Sequence, residues 1–437
     1  MGDFLPYTDD GDILLDPLGT MVSLAVLVVL ALAVSRSRTP RDLKRVLYLA
    51  IALRGAGALA RYMILFGIYG GSGDARLYYR GGLIYAGELW KLNPGPLFNP
   101  INWQGGIWHG TQFVYFPAAF VTAFTGPSML GAFIIFSLFA FAGLYGFLVA
   151  FRRSYPHVSA ARYARWLFFF PALWYWPSSI GKEAIVLLGL GMCIAGYIGR
   201  SERINWPLFL AGLFLIYGVR PQVLVVVLAS LIAGHGLSLL SHRWTPRHIL
   251  QAVALAAAAV VGVGVAMQAE GVESFSVEGV QGYIEEEGAR ELGGESAIAP
   301  VEIGVAGAPV ALINVLLRPF PWEAHNPMAL FASLQMIGFW AIVWVRRRQF
   351  VQVLRHWRSD RLIRVAIPFV LLYSLALGFV VANMGLIDRQ RIFIFPFLFL
   401  LAEAAPVSRI RTAPVVRRAW TREPRRRRAE AAEQSST

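Results

Sequence analysis

Residues 207–241, PLFLAGLFLIYGVRPQVLVVVLASLIAGHGLSLLS, form two apolar runs joined at Arg220-Pro221, and Arg220 is their only Lys, Arg, Asp or Glu. A helix rises about 1.5 Å per residue, so the run 207–219 reaches roughly 20 Å. A bilayer's hydrocarbon core is about 30 Å thick. Arg220 is therefore expected below the membrane surface, where a charge needs a partner or a water-filled cavity. The stretch thus sets the fold, a bundle of membrane helices, and marks a place inside it where chemistry is expected.

The rest of the chain agrees. Of 437 residues, 57% are hydrophobic and only 15% charged, against about 25% charged in soluble domains. Apolar runs that suit spans lie at 19–35, 44–68, 128–151, 165–181, 184–199, 207–219, 222–241, 249–268, 326–345, 364–384 and 392–405. The expected fold is all-α: one integral membrane domain, residues 1–405, built as a polytopic transmembrane helix bundle. It should hold about 11–13 spans with re-entrant or juxtamembrane helices. Two stretches, 111–125 (TQFVYFPAAFVTAFT) and 305–317, suit half-inserted helices, although the first is apolar enough to span.

Charge sets the orientation. Arg36, Arg38, Arg41, Lys44 and Arg45 cluster at 35–45, seven Arg fall within 346–364, and Arg425 to Arg428 close the tail. The positive-inside rule puts all three on the cytoplasmic side. The N-terminus is then external, with long outer loops at 69–110 and 269–325, and the tail 406–437 is a cytoplasmic segment expected to be disordered and drawn to anionic lipid. The net charge of +14 is spent in loops and tail, which argues against nucleic acid as its partner.

Several chemistries lack support. The single Cys193 excludes a disulfide or a thiolate cluster within one chain. Gly181-Lys182 is not a phosphate loop, because GxxxxGK[ST] is absent, and no G-x-S-x-G elbow is present. His109 has no second His or Cys at ligand spacing, so no metal site is expected.

Five segments bring charge to the outer half of this topology: Asp74 in SGDARLYY, Lys182 and Glu183 in PSSIGKEA, Arg220 in YGVRPQ, Arg318 and Glu323 in RPFPWEAH, and Asp388, Arg389 and Arg391 in IDRQR. Single charges at span ends are often interfacial anchors. Guanidinium groups facing one cavity would instead bind a phosphate bidentately, with carboxylates beside them for acid/base work or a divalent cation. Arg54 and Arg61, seven residues apart, share one helix face and suit either a lipid headgroup or a buried structural pair. Loop 69–110 adds Tyr78, Tyr79, Trp103 and His109, residues fit for a sugar cleft or for an interfacial aromatic belt.

Asp74 followed by Tyr78 in an early outer loop, and Tyr115-Phe116-Pro117 entering the next helix, resemble the GT-C superfamily of polytopic glycosyltransferases that use polyprenyl-phosphate-linked sugars. PSSIGKEA, RPFPWE and NMGLIDRQRIFIFPF look like bacterial membrane proteins near exopolysaccharide or O-antigen polymerases. The resemblance covers about residues 44–405. It implies an external active site in the bacterial cytoplasmic membrane, with Asp74 as the base that activates an acceptor hydroxyl and Glu183 or Glu323 as a second carboxylate. Lys182, Arg220, Arg318, Arg389 and Arg391 would hold the donor phosphate, and Tyr78, Tyr79, Trp103 and His109 the acceptor. The partners implied are a polyprenyl-phosphate-linked sugar and a glycan or lipid acceptor in the bilayer. No cofactor is obligatory, although a divalent cation is an option. An extra span precedes the Asp-bearing loop, and Asp74 is followed by Ala75 rather than a second acid, both departures from the family pattern. A lipid-linked oligosaccharide polymerase or ligase, and a transporter or flippase, are the rival readings.

Overall fold

The computed structural model describes residues 16–98, 110–200, 203–239, 296–355 and 357–404. The candidate span 249–268, Trp103, His109, most of the acidic stretch 269–302 and the tail lie outside them. The described residues are helical, with isolated bridges at Arg200–Arg203 and Ala297–Asn383 and no longer strand.

Among the described residues five helices are long and apolar enough to cross a membrane: α1 (Pro17–Arg36), α2 (Arg41–Gly67), α6 (Met129–Ser154), α13 (Pro327–Arg355) and α14 (Arg361–Val380). Between them run α3 (Asp74–Trp90), α4 (Gly95–Phe98), α5 (Gly110–Thr125), α7 (Ala161–Phe169), α8 (Pro171–Tyr175), α9 (Lys182–Ile198), α10 (Trp206–Val219), α11 (Pro221–Leu239) and α12 (Ala308–Leu316). Two short helices, α15 (Met384–Gln390) and α16 (Phe395–Glu403), complete the described fold.

Apolar helices gain little from hydrophobicity when lipid is the alternative, so close backbone approach through small residues holds them together. A methyl added at Gly146 would come within 2.7 Å of the Gly191 carbonyl carbon, so α6 and α9 touch backbone to backbone. Gly212 likewise faces Cys193 N at 2.6 Å, joining α10 to α9, and Gly378 faces Ala311 at 2.8 Å, joining α14 to α12.

These contacts fix direction. α6 and α9 run parallel, Gly143 meeting Leu187 and Gly146 meeting Gly191. The α9 start is therefore level with a point some nine residues into α6, about 14 Å along its axis. At the opposite end of the bundle Asp42 meets Ser159, Arg153 donates to Ala195 O at 2.9 Å, and the Arg361 guanidinium lies 4.1 Å from the Tyr197 ring centroid. α5 does not cross the bundle. Thr111 in its first turn bonds Tyr78, while its last residue, Thr125, abuts Gly19 at the start of α1. With nine residues, α12 is also too short to cross.

Candidate functional site

Four helix ends build the site. Gly73, at φ 147°, turns the chain into α3, whose first residue is Asp74; that backbone region favours glycine. Gly181 leads into α9 with Lys182 and Glu183 in the first turn. α10 ends at Arg220, because Pro221 lacks the N–H that would continue it. Asn383 caps α15 by accepting from Gly385 N at 2.9 Å and Leu386 N at 3.2 Å, and this sets Arg389 at the far end of a short rigid helix.

Arg389 is the hub. Its Nη2 donates to Glu183 Oε2 at 2.9 Å, its Nε lies 2.8 Å from Glu183 Oε1, and its Nη1 donates to Asp74 Oδ2 at 3.1 Å. Arg220 Nη2 donates to the same Glu183 Oε1 at 3.3 Å. The Glu183 side chain is 3% exposed and that of Asp74 57%, so one carboxylate is an anchor and the other faces outward. Asp74 Oδ1 accepts no hydrogen bond from a described residue.

Among the described residues charge does not balance here: Lys182, Arg220 and Arg389 face Asp74 and Glu183. Lys182 feels all four of the others, yet its ammonium makes no hydrogen bond to any described residue. Two further donors around Glu183, Arg220 Nε and the Tyr373 hydroxyl on α14, are buried with no partner among the described residues. Buried cations and donors left this way are costly, and an anionic oxygen ligand would satisfy them.

A second cluster adjoins the first through α15. Arg391 is 2% exposed, and its Nε donates to Asp388 Oδ1 at 3.1 Å. Its Nη2 bonds Asp388 and its Nη1 the Arg318 carbonyl. Asp388 Oδ2 accepts from Trp176 Nε1 at 2.9 Å. Arg318 is paired with Glu323 at 2.9 Å and donates to Asn314 Oδ1 at 2.9 Å. Burial alone would raise the Glu323 carboxyl's pKa, but the Arg318 hydrogen bond, the Phe320 N–H and the Arg318 charge together hold it below the usual range.

Two cavities flank α13. One, of about 520 Å³, lies over the second cluster and is lined by Trp176, Arg318, Glu323, Asn326, Ala332 and Asp388 among others. The other, of about 680 Å³, is an almost wholly apolar groove between α7–α8 and α13, with Phe169, Phe170, Phe331 and Leu334 in its walls. Gln335 also lines this groove, and neither of its amide atoms has a partner.

The five charged segments thus converge, in two adjoining groups. Asp74, Lys182, Glu183, Arg220 and Arg389 meet directly, with Tyr78 among them, electrostatically coupled to Asp74, Glu183 and Arg389. Arg318, Glu323 and Arg391 form the second group, where Arg391 is fully used in holding Asp388 and the Arg318 carbonyl. Tyr79 turns the other way, to Asp16 and Tyr62. Arg54 is 0% exposed and donates to Leu173 O at 3.1 Å, away from both groups. Arg61 stacks 5.0 Å from the Tyr175 ring centroid and 5.2 Å from that of Trp176. Among the described residues no three His, Cys, Asp or Glu gather to hold a metal.

The sequence reading missed Tyr373, Trp176 and Asn326. Tyr373-Ser374 interrupts an otherwise apolar span, and that was the available signal. Trp176 sits one residue before the PSSIGKEA motif, and Asn326 reads simply as a helix cap. Comparison with protein-family models, with curated proteins and with solved structures finds no match for this chain.

Proposed function

We propose that this chain is a polytopic membrane glycosyltransferase, moving a sugar from a polyprenyl-phosphate-linked donor to a glycan or lipid acceptor of the cell envelope. On this reading the eleven apolar runs of the sequence, 249–268 among them, alternate in direction, with the Arg-rich segments at the cytoplasm by the positive-inside rule. The site then opens to the external face of the bacterial cytoplasmic membrane.

The observation that carries the reading is the pairing of an outward-facing carboxylate with an unmatched cation. Asp74 Oδ1 accepts no hydrogen bond from a described residue, while Arg389 fixes Oδ2. Lys182, electrostatically coupled to Asp74, has no hydrogen-bond partner among the described residues. In the reaction Asp74 takes the proton of an acceptor hydroxyl as that oxygen attacks the anomeric carbon. The bond from that carbon to the phosphate oxygen breaks, and its electron pair leaves with the phosphate. Lys182 and Arg220 stabilise the charge that develops there, commonly the largest catalytic term. Glu183 is enclosed by two guanidinium groups and anchors Arg389 and Arg220 instead of meeting the acceptor. The apolar groove along α13 suits the lipid chain of such a donor, which enters sideways from the bilayer.

The test is transfer of radiolabelled sugar from a panel of polyprenyl-phosphate sugars by the purified protein in lipid. Turnover that Asp74→Asn abolishes, with folding intact, supports the reading. Absence of turnover with every monosaccharide donor overturns it in favour of oligosaccharide-lipid polymerisation or transport.

A further inference from the structure

We infer that the 520 Å³ cavity beside α15 is a binding pocket for an uncharged, hydroxyl-rich ring, a neutral hexosyl unit, and that it discriminates against sugars bearing a carboxylate or phosphate. The inference deepens the transferase reading and rests on it for what the sugar is joined to.

The volume lies within the range of small-molecule sites, roughly 300–1,000 Å³. Its charges cancel locally. Arg318 is paired with Glu323 and Asp388 with Arg391, so the wall carries no uncompensated cation to attract an anion. The polar groups left with bonding capacity are mostly neutral. Asn326 spends its Oδ1 on Ala329 N at 2.8 Å as a helix cap, leaving Nδ2 as a donor. The hydroxyls of Ser296 and Tyr69 make no hydrogen bond to described residues, and His325 engages Glu323 O only through Nδ1, at 3.1 Å. Groups that both donate and accept match sugar hydroxyls, which do the same.

The apolar part of the wall is equally specific. Trp176 is fixed by its hydrogen bond to Asp388 and by Arg61 against its ring, and Ile68, Ile298, Met328 and Met384 are among the other apolar residues of the lining. A ring with hydroxyls at its edge and C–H bonds on its face fits such a wall. Asp388 lines the cavity and Arg389, the next residue, holds Asp74, so the short helix α15 joins the cavity wall to the cluster that contains the base. The unmatched Lys182 sits with the first cluster, outside this lining, which separates phosphate recognition from sugar recognition.

Saturation-transfer NMR on the full-length protein in lipid nanodiscs tests this, with methyl glucoside, methyl mannoside and methyl galactoside against glucuronate and glucose 1-phosphate. At least one neutral hexoside should bind, and the two anions should bind at least tenfold more weakly. Ala332→Trp, which fills the cavity, should abolish the signal. Asn326→Asp keeps the helix cap but loses the Nδ2 donor, and should weaken binding about tenfold. Failure of all three hexosides, binding of the anions as tight as theirs, or a signal that survives Ala332→Trp in folded protein overturns the pocket. Hexoside binding with no sugar transfer from any polyprenyl-phosphate donor would instead overturn the transferase reading and leave the pocket standing.

Discussion

Replacing Glu183 with Gln keeps the shape of the side chain and removes the charge on which two arginines depend. In the wild type its oxygens take two contacts from Arg389, at 2.8 and 2.9 Å, and one from Arg220 at 3.3 Å. Unit charges at about 4 Å attract by roughly 4 kcal/mol at an effective dielectric near 20, and breaking a buried pair typically costs about 3–5 kcal/mol because the partner is left uncompensated. Glu183→Gln leaves Lys182, Arg220 and Arg389 facing Asp74 alone among the described carboxylates, so a loss of about 3–5 kcal/mol is expected. Arg220→Gln alone should cost less, about 1.5–3 kcal/mol, since Glu183 retains Arg389. The double variant should fall short of the sum by at least about 1 kcal/mol, because the second change also removes a stranded cation. Denaturant unfolding in mixed micelles, run as a double-mutant cycle, reads this coupling. Single effects that add within about 0.5 kcal/mol, or a Glu183→Gln protein as stable as wild type, would refute the network.

Three further outcomes follow from the same geometry. Lys182→Gln removes an unmatched cation, so it should leave the unfolding midpoint unchanged or raise it, in contrast to its arginine neighbours. Arg391→Gln should destabilise by about 3–5 kcal/mol, the cost of stranding buried Asp388, with no selective loss of phosphate binding in the folded fraction. Glu323 has a depressed pKa in the folded chain, so its contribution is present above the unfolded carboxylate value and is lost as pH falls through the folded one. The stability gap between wild type and Glu323→Gln, followed by thermal unfolding from pH 7 to pH 3, should therefore close toward the acid end; a constant gap would exclude the Arg318 pairing.

Much of this arrangement is legible from helix lengths and charges. The run 207–219 is too short for a bilayer, which places Arg220 at depth, and the level of the α9 start along α6 agrees. The helical conformation of 110–125 is apparent from its apolar run, but its path is not. That α5 stays at one end of the bundle depends on the contacts of Thr125 with Gly19 and of Thr111 with Tyr78, pairs 106 and 33 residues apart that meet only in three dimensions. Sequence also cannot separate Arg389 from Arg391. They lie two residues apart in the same motif, yet one reaches across to α3 and α9 while the other folds back on Asp388 within its own turn. Tyr78 and Tyr79 diverge for a simpler reason: neighbours on a helix point about 100° apart, so only one of them faces the cluster.

The central claim, that the helix ends around Glu183 form a site for a lipid-borne phosphate, is tested most directly by native mass spectrometry of the wild type with farnesyl phosphate and with farnesol. The account predicts that the phosphate binds at least tenfold tighter than the alcohol, and that Lys182→Gln brings the two to near equality. Equal binding by the wild type, or a preference that survives Lys182→Gln, would contradict it.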